Sequence, residues 1–542
     1  MINARAMLAP QTREKWSGLA WCAAIPMVFF VIGCCVVHSV GLSWDEDFQR
    51  VYGKMVVDYN ATFGADTHAL HYRNMYLYGG FFDVLGAGLE RLVPALRYDV
   101  LRHLLSLAFA AGGLFYTARL AAFFAGPRAG FIAALTLMLI PRYFGHAFFN
   151  PKDTPFAALY VCSLYYLIEL VDALPARNAQ RKWWSFAIAC GFCLGIRIGA
   201  LLLFTFLAAG VSLWAAEQAW SRARPVREQL LAWAWVAAAS VSACCVATAI
   251  ALVFWPYLRA NPPLRLLSVL AENSNFQTQW NAPVLFAGKV GLAASIGRIY
   301  LPTWLWISVP PFVWVGVLLV VLVGLRVRPW AALRGRMRAA AVLILGLVLP
   351  PVYAIFQNVT LYDGMRQFLF ILPPLAVIAG LGWYWALHFA STRGRRAMGA
   401  VFVLALAEPA VWLVRSHPYE YTYFSPIVGG LKEQSYRFES DYWGTSFRAA
   451  AEFLDRYRHE QGMAQLVVAQ GGIFKEWGLI KPFLEDPARV VLASGAQRAD
   501  VTVELNRARE PGPWMQDPHI LYRVQVVEGQ MPFLVVTKPG GY

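Results

Sequence analysis

Three short stretches of this chain gather side chains able to move a proton or hold a phosphate. Trp44-Asp45-Glu46-Asp47 places three carboxylates in a row. One of them could act as a general base, and an aromatic neighbour could stack on a substrate. The same acids would also suit the first turn of a helix capped by Ser43 or Asp45. Arg142 to Pro155 (RYFGHAFFNPKDTP) holds Arg142, His146, Lys152 and Asp153 within a dozen residues. It offers two cations to a phosphate and a carboxylate to a hydroxyl or a neighbouring cation. An ion pair that merely fixes the turn explains it equally well. Leu361 to Phe368 (LYDGMRQF) carries Tyr362 and Arg366. A guanidinium matches phosphate oxygens in a two-pronged fork, but an arginine at a membrane edge can also simply reach for water. His68, His71, His146 and His417 are scattered, and none pair at i, i+4 spacing as zinc ligands on one helix would.

What must position these residues is a membrane. Of 542 residues, 58% are hydrophobic and 15% charged, against roughly 45–50% and 25% in ordinary soluble domains. The excess falls in runs long enough to cross a bilayer core of about 30 Å. Spans are expected near 19–41, 100–123, 130–148, 154–173, 184–196, 198–216, 229–255, 302–325, 338–356, 367–389 and 397–414. The first is read as a retained span rather than a removed signal. As one helix, 184–216 would be about 50 Å long. Its centre, GFCLGIRIG, carries three glycines and Arg197, so two short helices turning near Arg197 fit better.

Charge decides sidedness. The net charge of +15 lies mostly in short loops: 1–15, 174–182 (Arg177, Arg181, Lys182), 217–228 (Arg222, Arg224, Arg227), 326–338 (Arg326, Arg328, Arg334, Arg336, Arg338) and 391–396 (Arg393, Arg395, Arg396). With the turn at Arg197 all five share one side, which the positive-inside rule makes cytoplasmic. Eleven crossings then leave the N-terminus inside and the C-terminus outside, in the plasma (inner) membrane. This placement of charge argues against nucleic acid as a partner. The eight cysteines all fall in apolar runs, so neither disulfides nor a zinc site is expected.

The opposite side collects the loop 42–99, the turn 149–153, the loop 256–301, the turn 357–366 and the tail. Phe48, Val51, Tyr52, Met55, Val56 and Tyr59 recur at helical spacing, which predicts an amphipathic helix over 45–60. Phe82, Leu85, Leu89, Leu92 and Val93 predict a second. Both would lie in the interface and could roof a site there. Residues 1–416 form the expected membrane domain. Residues 417–542 read as a small external α/β domain, with a helix at SFRAAAEFLDRYR, strands at QLVVAQ, RVVLAS and DVTVEL, and a hairpin turning at Glu528-Gly529.

Taken together, these features resemble the GT-C membrane glycosyltransferases, most closely the lipid-carrier-dependent group that includes protein O-mannosyltransferases and the aminoarabinose transferases of lipid A. The resemblance rests on the acidic pair after the first span, the long first external loop, the second acidic turn (NPKDTP), the arginine at a late span (YDGMRQF…LPP) and the external tail with HPYEYTYFSP and DYWGTSFRAAAEFL. It implies a sugar donor linked to a polyprenyl phosphate, an acceptor lipid, glycan or protein, and inversion at the anomeric carbon. It further implies that Asp45 is the base with Glu46 its partner, that Asp153 is the second-loop acid, and that Arg366 holds the carrier phosphate with Lys152 and Arg142. Trp44, Tyr78, Tyr362 and His146 are then candidates to line the substrate. Tyr76-Leu77-Tyr78-Gly79-Gly80 departs from the group, where a Pro-Pro motif is expected, and leaves the acceptor open. A phosphate leaving group needs no strong acid, so no metal is taken as obligatory, with a divalent ion the open alternative. A transporter or flippase of lipid-linked glycan, a glycan polymerase or ligase, and a non-catalytic binding relative remain the competing readings. No internal repeat supports the transporter.

Overall fold

The structure, a computed structural model, describes residues 14–175, 180–221, 225–274, 281–327, 334–494 and 497–539. Of the basic-loop residues above, Arg177, Arg222, Arg224, Arg328 and the stretch 1–13 lie outside the described residues.

The chain is an integral membrane protein, mainly helical, with a small sheet at its C-terminal end. Helices α1 (Glu14–Val36), α4 (Tyr98–Ala125), α7 (Asp153–Ala173), α9 (Leu202–Ser221) and α10 (Val226–Phe254) are joined by Met337–Phe356, Leu372–Phe389 and Thr392–Arg415. Together they give eight segments long and apolar enough to cross a bilayer among the described residues. At the expected spans 130–148 and 302–325 the described residues form bent helix pairs rather than single straight helices. The first bends by 70° between α5 (Pro127–Met138) and α6 (Pro141–Phe149). The second bends by 99° between Ala293–Ser308 and Pro311–Arg326. Each second limb begins on a proline, which starts a helix well and continues one badly. The expected span at 184–196 is α8 (Gln180–Leu194), whose 15 residues fall short of the about 20 that a crossing needs. The turn near Arg197 is present. Alpha helix stops at Leu194 and resumes at Leu202, with a single 3-10 turn at Ile198–Leu201 between them.

The segment Arg366–Phe389 is the most enclosed, with 89% of its apolar window buried, while Thr392–Arg415 is the least at 17%. The centre of the bundle is therefore the pair α7 and Leu372–Phe389. The acids and cations of interest stand at the same end of these two helices.

The first loop folds as its periodicity predicts, into α2 (Trp44–Ala61) and α3 (Phe81–Leu92). Ser43 and Glu46 form a capping box that starts α2. The loop after α10 holds an unforeseen hairpin, β1 (Pro283–Phe286) against β2 (Lys289–Leu292). The tail carries β3 (Leu466–Gln470), β4 (Val490–Leu492), β5 (Val501–Leu505), β6 (Ile520–Val524) and β7 (Leu534–Thr537), in the order β4-β3-β5-β7-β6. Pairing is parallel from β4 through β5 and antiparallel from there on. Helix Phe447–Glu460 covers the sheet with Ala450, Ala451 and Leu454.

Candidate active site

Arg366 is the hub. Its Nε donates to Asp363 Oδ2 at 2.9 Å, and its Nη1 faces Asp153 Oδ2 at 3.4 Å and Asp45 Oδ2 at 3.7 Å. The aromatic rings of Tyr362 and Trp443 flank the guanidinium at 5.1 and 4.7 Å. Nη2 has no protein partner among the described residues. Carboxylates from α2, from the start of α7 and from the turn before Leu372 thus meet on one cation. The arginine is not reaching for bulk water at a membrane edge. It is buried among groups separated by hundreds of residues in sequence.

The acids differ in what they have left to offer. Asp153 is 1% exposed and held between cations. Oδ1 pairs with Arg197 Nη1 at 2.7 Å, and Oδ2 faces Arg366 and accepts from Asn150 Nδ2 at 3.0 Å. Asp363 is shared between Arg366 and Arg507. Asp45, 27% exposed, has among the described residues only the longer contact to Arg366, so it is the acid with an oxygen to spare. Glu46 does not join it. Its Oε2 accepts from the Ser43 backbone N–H at 2.7 Å, and its Oε1 lies 2.8 Å from His103 Nε2. The expected partnership of Glu46 with Asp45 is corrected to a buried helix cap.

Lys152 and Arg197 form a second positive group around Tyr78. The Lys152 ammonium sits 3.9 Å from the Tyr78 ring centroid and makes no ion pair among the described residues. Burial holds its pKa below the ordinary lysine value, opposed by Asp45 and reinforced by Arg197 and Arg366. Tyr78 reaches this position because Gly79 lets two backbones touch. A β-carbon on Gly79 would stand 2.1 Å from the Gly195 carbonyl oxygen. Gly79 N–H donates to Ile196 and Phe81 N–H to Gly195. The Tyr-Gly-Gly stretch is therefore keyed into the break between α8 and α9.

A cavity of about 210 Å³ opens beside these cations. Tyr78, Arg197, Thr360 and Gln367 make its polar wall, and Phe156 and Phe370 part of its apolar one. Arg197 Nε, Thr360 Oγ1 and both amide atoms of Gln367 are buried without a hydrogen-bond partner among the described residues. Buried polar groups are normally satisfied, so this wall offers donors and acceptors suited to a polar ligand.

Three expected site residues lie elsewhere. Arg142 is packed between Trp304 and Phe424, donating to the Tyr442 hydroxyl at 2.9 Å and the Tyr423 carbonyl at 3.1 Å. It is a strut to the tail rather than a phosphate ligand. His146 lies behind it, 3.1 Å from the Tyr442 hydroxyl and 3.0 Å from Asn150 Nδ2. Trp44 donates to the Tyr442 carbonyl at 2.9 Å and packs on Phe447 and Phe474. All three fix residues 419–447 onto the membrane bundle. From the sequence, Arg197 is not singled out as a binding group, Asp363 and Trp443 figure only as members of the LYDGMRQF and DYWGTSFRAAAEFL stretches without a role, and Arg507 carries no signal. Arg197 carried a signal, a cation in an apolar run, but it was spent on explaining the helix break. Among the described residues no group of three or more His, Cys, Asp or Glu side chains is arranged to hold a metal ion. The positive charge between Asp45 and Asp153 is supplied by Arg366.

No protein-family model matches the sequence, and no curated protein matches it. Among solved structures, the chain is similar to ArnT from Cupriavidus metallidurans bound to undecaprenyl phosphate. The identity is 13%, covering 97% of this chain and 99% of that one, with a TM-score of 0.49. It is similar to the archaeal oligosaccharyltransferase AglB from Archaeoglobus fulgidus, in complex with an inhibitory peptide and a dolichol-phosphate, at 11% identity over 85% of this chain and 63% of that one, with a TM-score of 0.48. The S. cerevisiae protein O-mannosyltransferase Pmt1-Pmt2 complex bound to the sugar donor is similar at 13% identity over 53% and 40%, with a TM-score of 0.35.

Proposed function

We propose that this chain is an inverting glycosyltransferase that moves a sugar from a polyprenyl-phosphate donor to a hydroxyl or phosphate of an acceptor, on the membrane face away from the cytoplasm. The observation that carries the proposal is the cavity lined by Tyr78, Arg197, Thr360 and Gln367, with the Lys152 ammonium over the far side of the Tyr78 ring and the partly exposed Asp45 held by Arg366 in the same charge cluster. A lipid-linked sugar phosphate presents an apolar tail, a charged phosphate and hydroxyls. Phe156 and Phe370 suit the first of these, Lys152, Arg197 and the free Nη2 of Arg366 the second, and Thr360 and Gln367 the third.

The reaction breaks the bond between the anomeric carbon and the phosphate oxygen and forms one to the acceptor oxygen. Asp45 takes the acceptor proton, and the phosphate leaves as an anion onto the fixed cations. Fixed charges in a site with little water stabilise developing charge strongly, because they need no reorganisation. Asp153 keeps Arg197 and Arg366 in place. A single direct displacement of the phosphate by the acceptor oxygen, with no covalent enzyme intermediate, inverts the anomeric carbon.

The test is Asp45→Asn in purified full-length protein, given a panel of polyprenyl-phosphate sugars and assayed for donor consumption. General-base loss costs about 10²–10⁴ in rate. Turnover within a few-fold of wild type at equal melting temperature would falsify the assignment. A transporter would instead move lipid across a liposome membrane with no covalent product, at equal rate in wild type and variant.

A further inference from the structure

The turn that carries Arg366 is held from outside the membrane bundle. Arg507 follows β5 in the tail sheet and projects a guanidinium, 3% exposed, down to Asp363. Asp363 splits its two oxygens, Oδ1 to Arg507 and Oδ2 to Arg366 Nε. Arg507 is itself over-determined. Its Nη1 donates to the Tyr442 carbonyl at 3.1 Å, its Nε lies 3.5 Å from Glu439 Oε1, and its plane stacks 4.2 Å from the Phe474 ring. Asp363 stands at φ +57° and Gly364 at φ +68°, a turn that a non-glycine residue adopts only when its surroundings hold it there.

We propose that Arg507 is a positioning residue for the phosphate site, acting through Asp363 to orient the Arg366 guanidinium and keep it available to an anion. The inference rests on the donor-phosphate reading above. Two effects work in the same direction. With Asp363 anchored to the tail, Arg366 Nε is fixed, so Nη1 must face Asp153 and Asp45 while Nη2 stays open. With Asp363 shared, its negative charge is divided between two guanidiniums. Remove Arg507 and the carboxylate turns wholly to Arg366, neutralising the cation that the phosphate needs. The tail sheet is then part of the donor site, although no atom of it lines the cavity.

The experiment measures binding of a short-chain polyprenyl monophosphate, and of the matching uncharged polyprenol, to detergent-purified full-length protein. The proteins compared are wild type, Arg507→Gln, Arg507→Lys, Asp363→Asn, Arg507→Gln with Asp363→Asn, and Arg366→Ala. Groups that orient a ligating side chain typically matter by about 10- to 100-fold. Arg507→Gln should weaken the monophosphate by about tenfold and leave the polyprenol unchanged, a distinction that a purely structural role would not produce. Arg507→Lys keeps the charge without the fork and should fall between. The double variant should bind no worse than the weaker single one, because both break the same chain of contacts. If Arg507→Gln fails to fold, Arg507→Lys carries the same comparison, and Asp363→Asn tests the orientation of Arg366 alone, because it also removes the carboxylate that would neutralise it. Wild-type affinity in these variants, with Arg366→Ala impaired, overturns the relay alone. Wild-type affinity in Arg366→Ala overturns the phosphate reading and the relay with it.

Discussion

At the scale of residues, the sequence offers two adjacent carboxylates and the structure gives them different work. Asp45 keeps a partly exposed oxygen beside a cation, whereas Glu46 is buried in its capping box and against His103. The two should therefore separate cleanly when mutated. Glu46→Gln leaves a buried imidazole and a helix start poorly satisfied, at a cost of about 1–3 kcal/mol. Its expected signature is a lower melting temperature with turnover per folded molecule within about threefold of wild type, the reverse of Asp45→Asn. A Glu46→Gln protein as stable as wild type but inactive would return Glu46 to the chemistry. Sequence alone could not make this distinction. Both acids sit in the first turn of α2, and only the fold says that the second faces inward.

At the scale of elements, the first loop depends on a backbone contact that no periodicity encodes. The helices α2 and α3 were legible from their apolar spacing, and the break at Arg197 from its glycines and charge. That these two features key into each other was not. It depends on Gly79 lying against Gly195, which are more than a hundred residues apart. A methyl group on Gly79 points at the carbonyl oxygen of Gly195, so one strand of backbone must move and Tyr78 moves with it. Gly79→Ala should cost about 1–3 kcal/mol in stability, as overpacking does, and weaken polyprenyl-monophosphate binding. Gly88, on α3 with open space around it, is the matched control. Gly88→Ala should hold or raise stability and leave binding alone. Equal behaviour of the two variants would remove the docking of Tyr78 as a requirement. The bends at Pro141 and Pro311 show the other limit of reading by composition. A run of about 20 apolar residues reveals enough length to cross, but a break midway reflects what each limb packs against.

At the scale of the whole molecule, the tail is bound into the membrane bundle. Tyr421, Tyr423, Tyr442 and Trp443 are buried, and Arg142, His146 and Trp44 rise from the bundle to meet this segment. A chain ending before Tyr419 therefore loses core rather than a separable module, and should give no monodisperse protein on size exclusion. The seam also carries a titratable group. Glu439 is buried beside Arg507 and near Asp363 and Tyr300. Burial pushes its carboxyl up to about 8, with Arg507 opposing and Asp363 reinforcing the shift. A carboxyl raised in the folded state above its unfolded value of 4.5 binds a proton more tightly when folded. Its contribution to stability is thus fully present below about pH 4.5 and is lost as pH rises through about 8. Above that pH, Glu439 is ionised and competes with Asp363 for Arg507. The melting temperature should fall from about pH 4.5 to about 8, and monophosphate affinity should fall as pH rises through about 8 if Arg507 is drawn away from Asp363. Glu439→Gln should flatten both profiles. A variant that tracks wild type across that interval would mean that the seam does not titrate and that the tail grips the membrane site with constant strength.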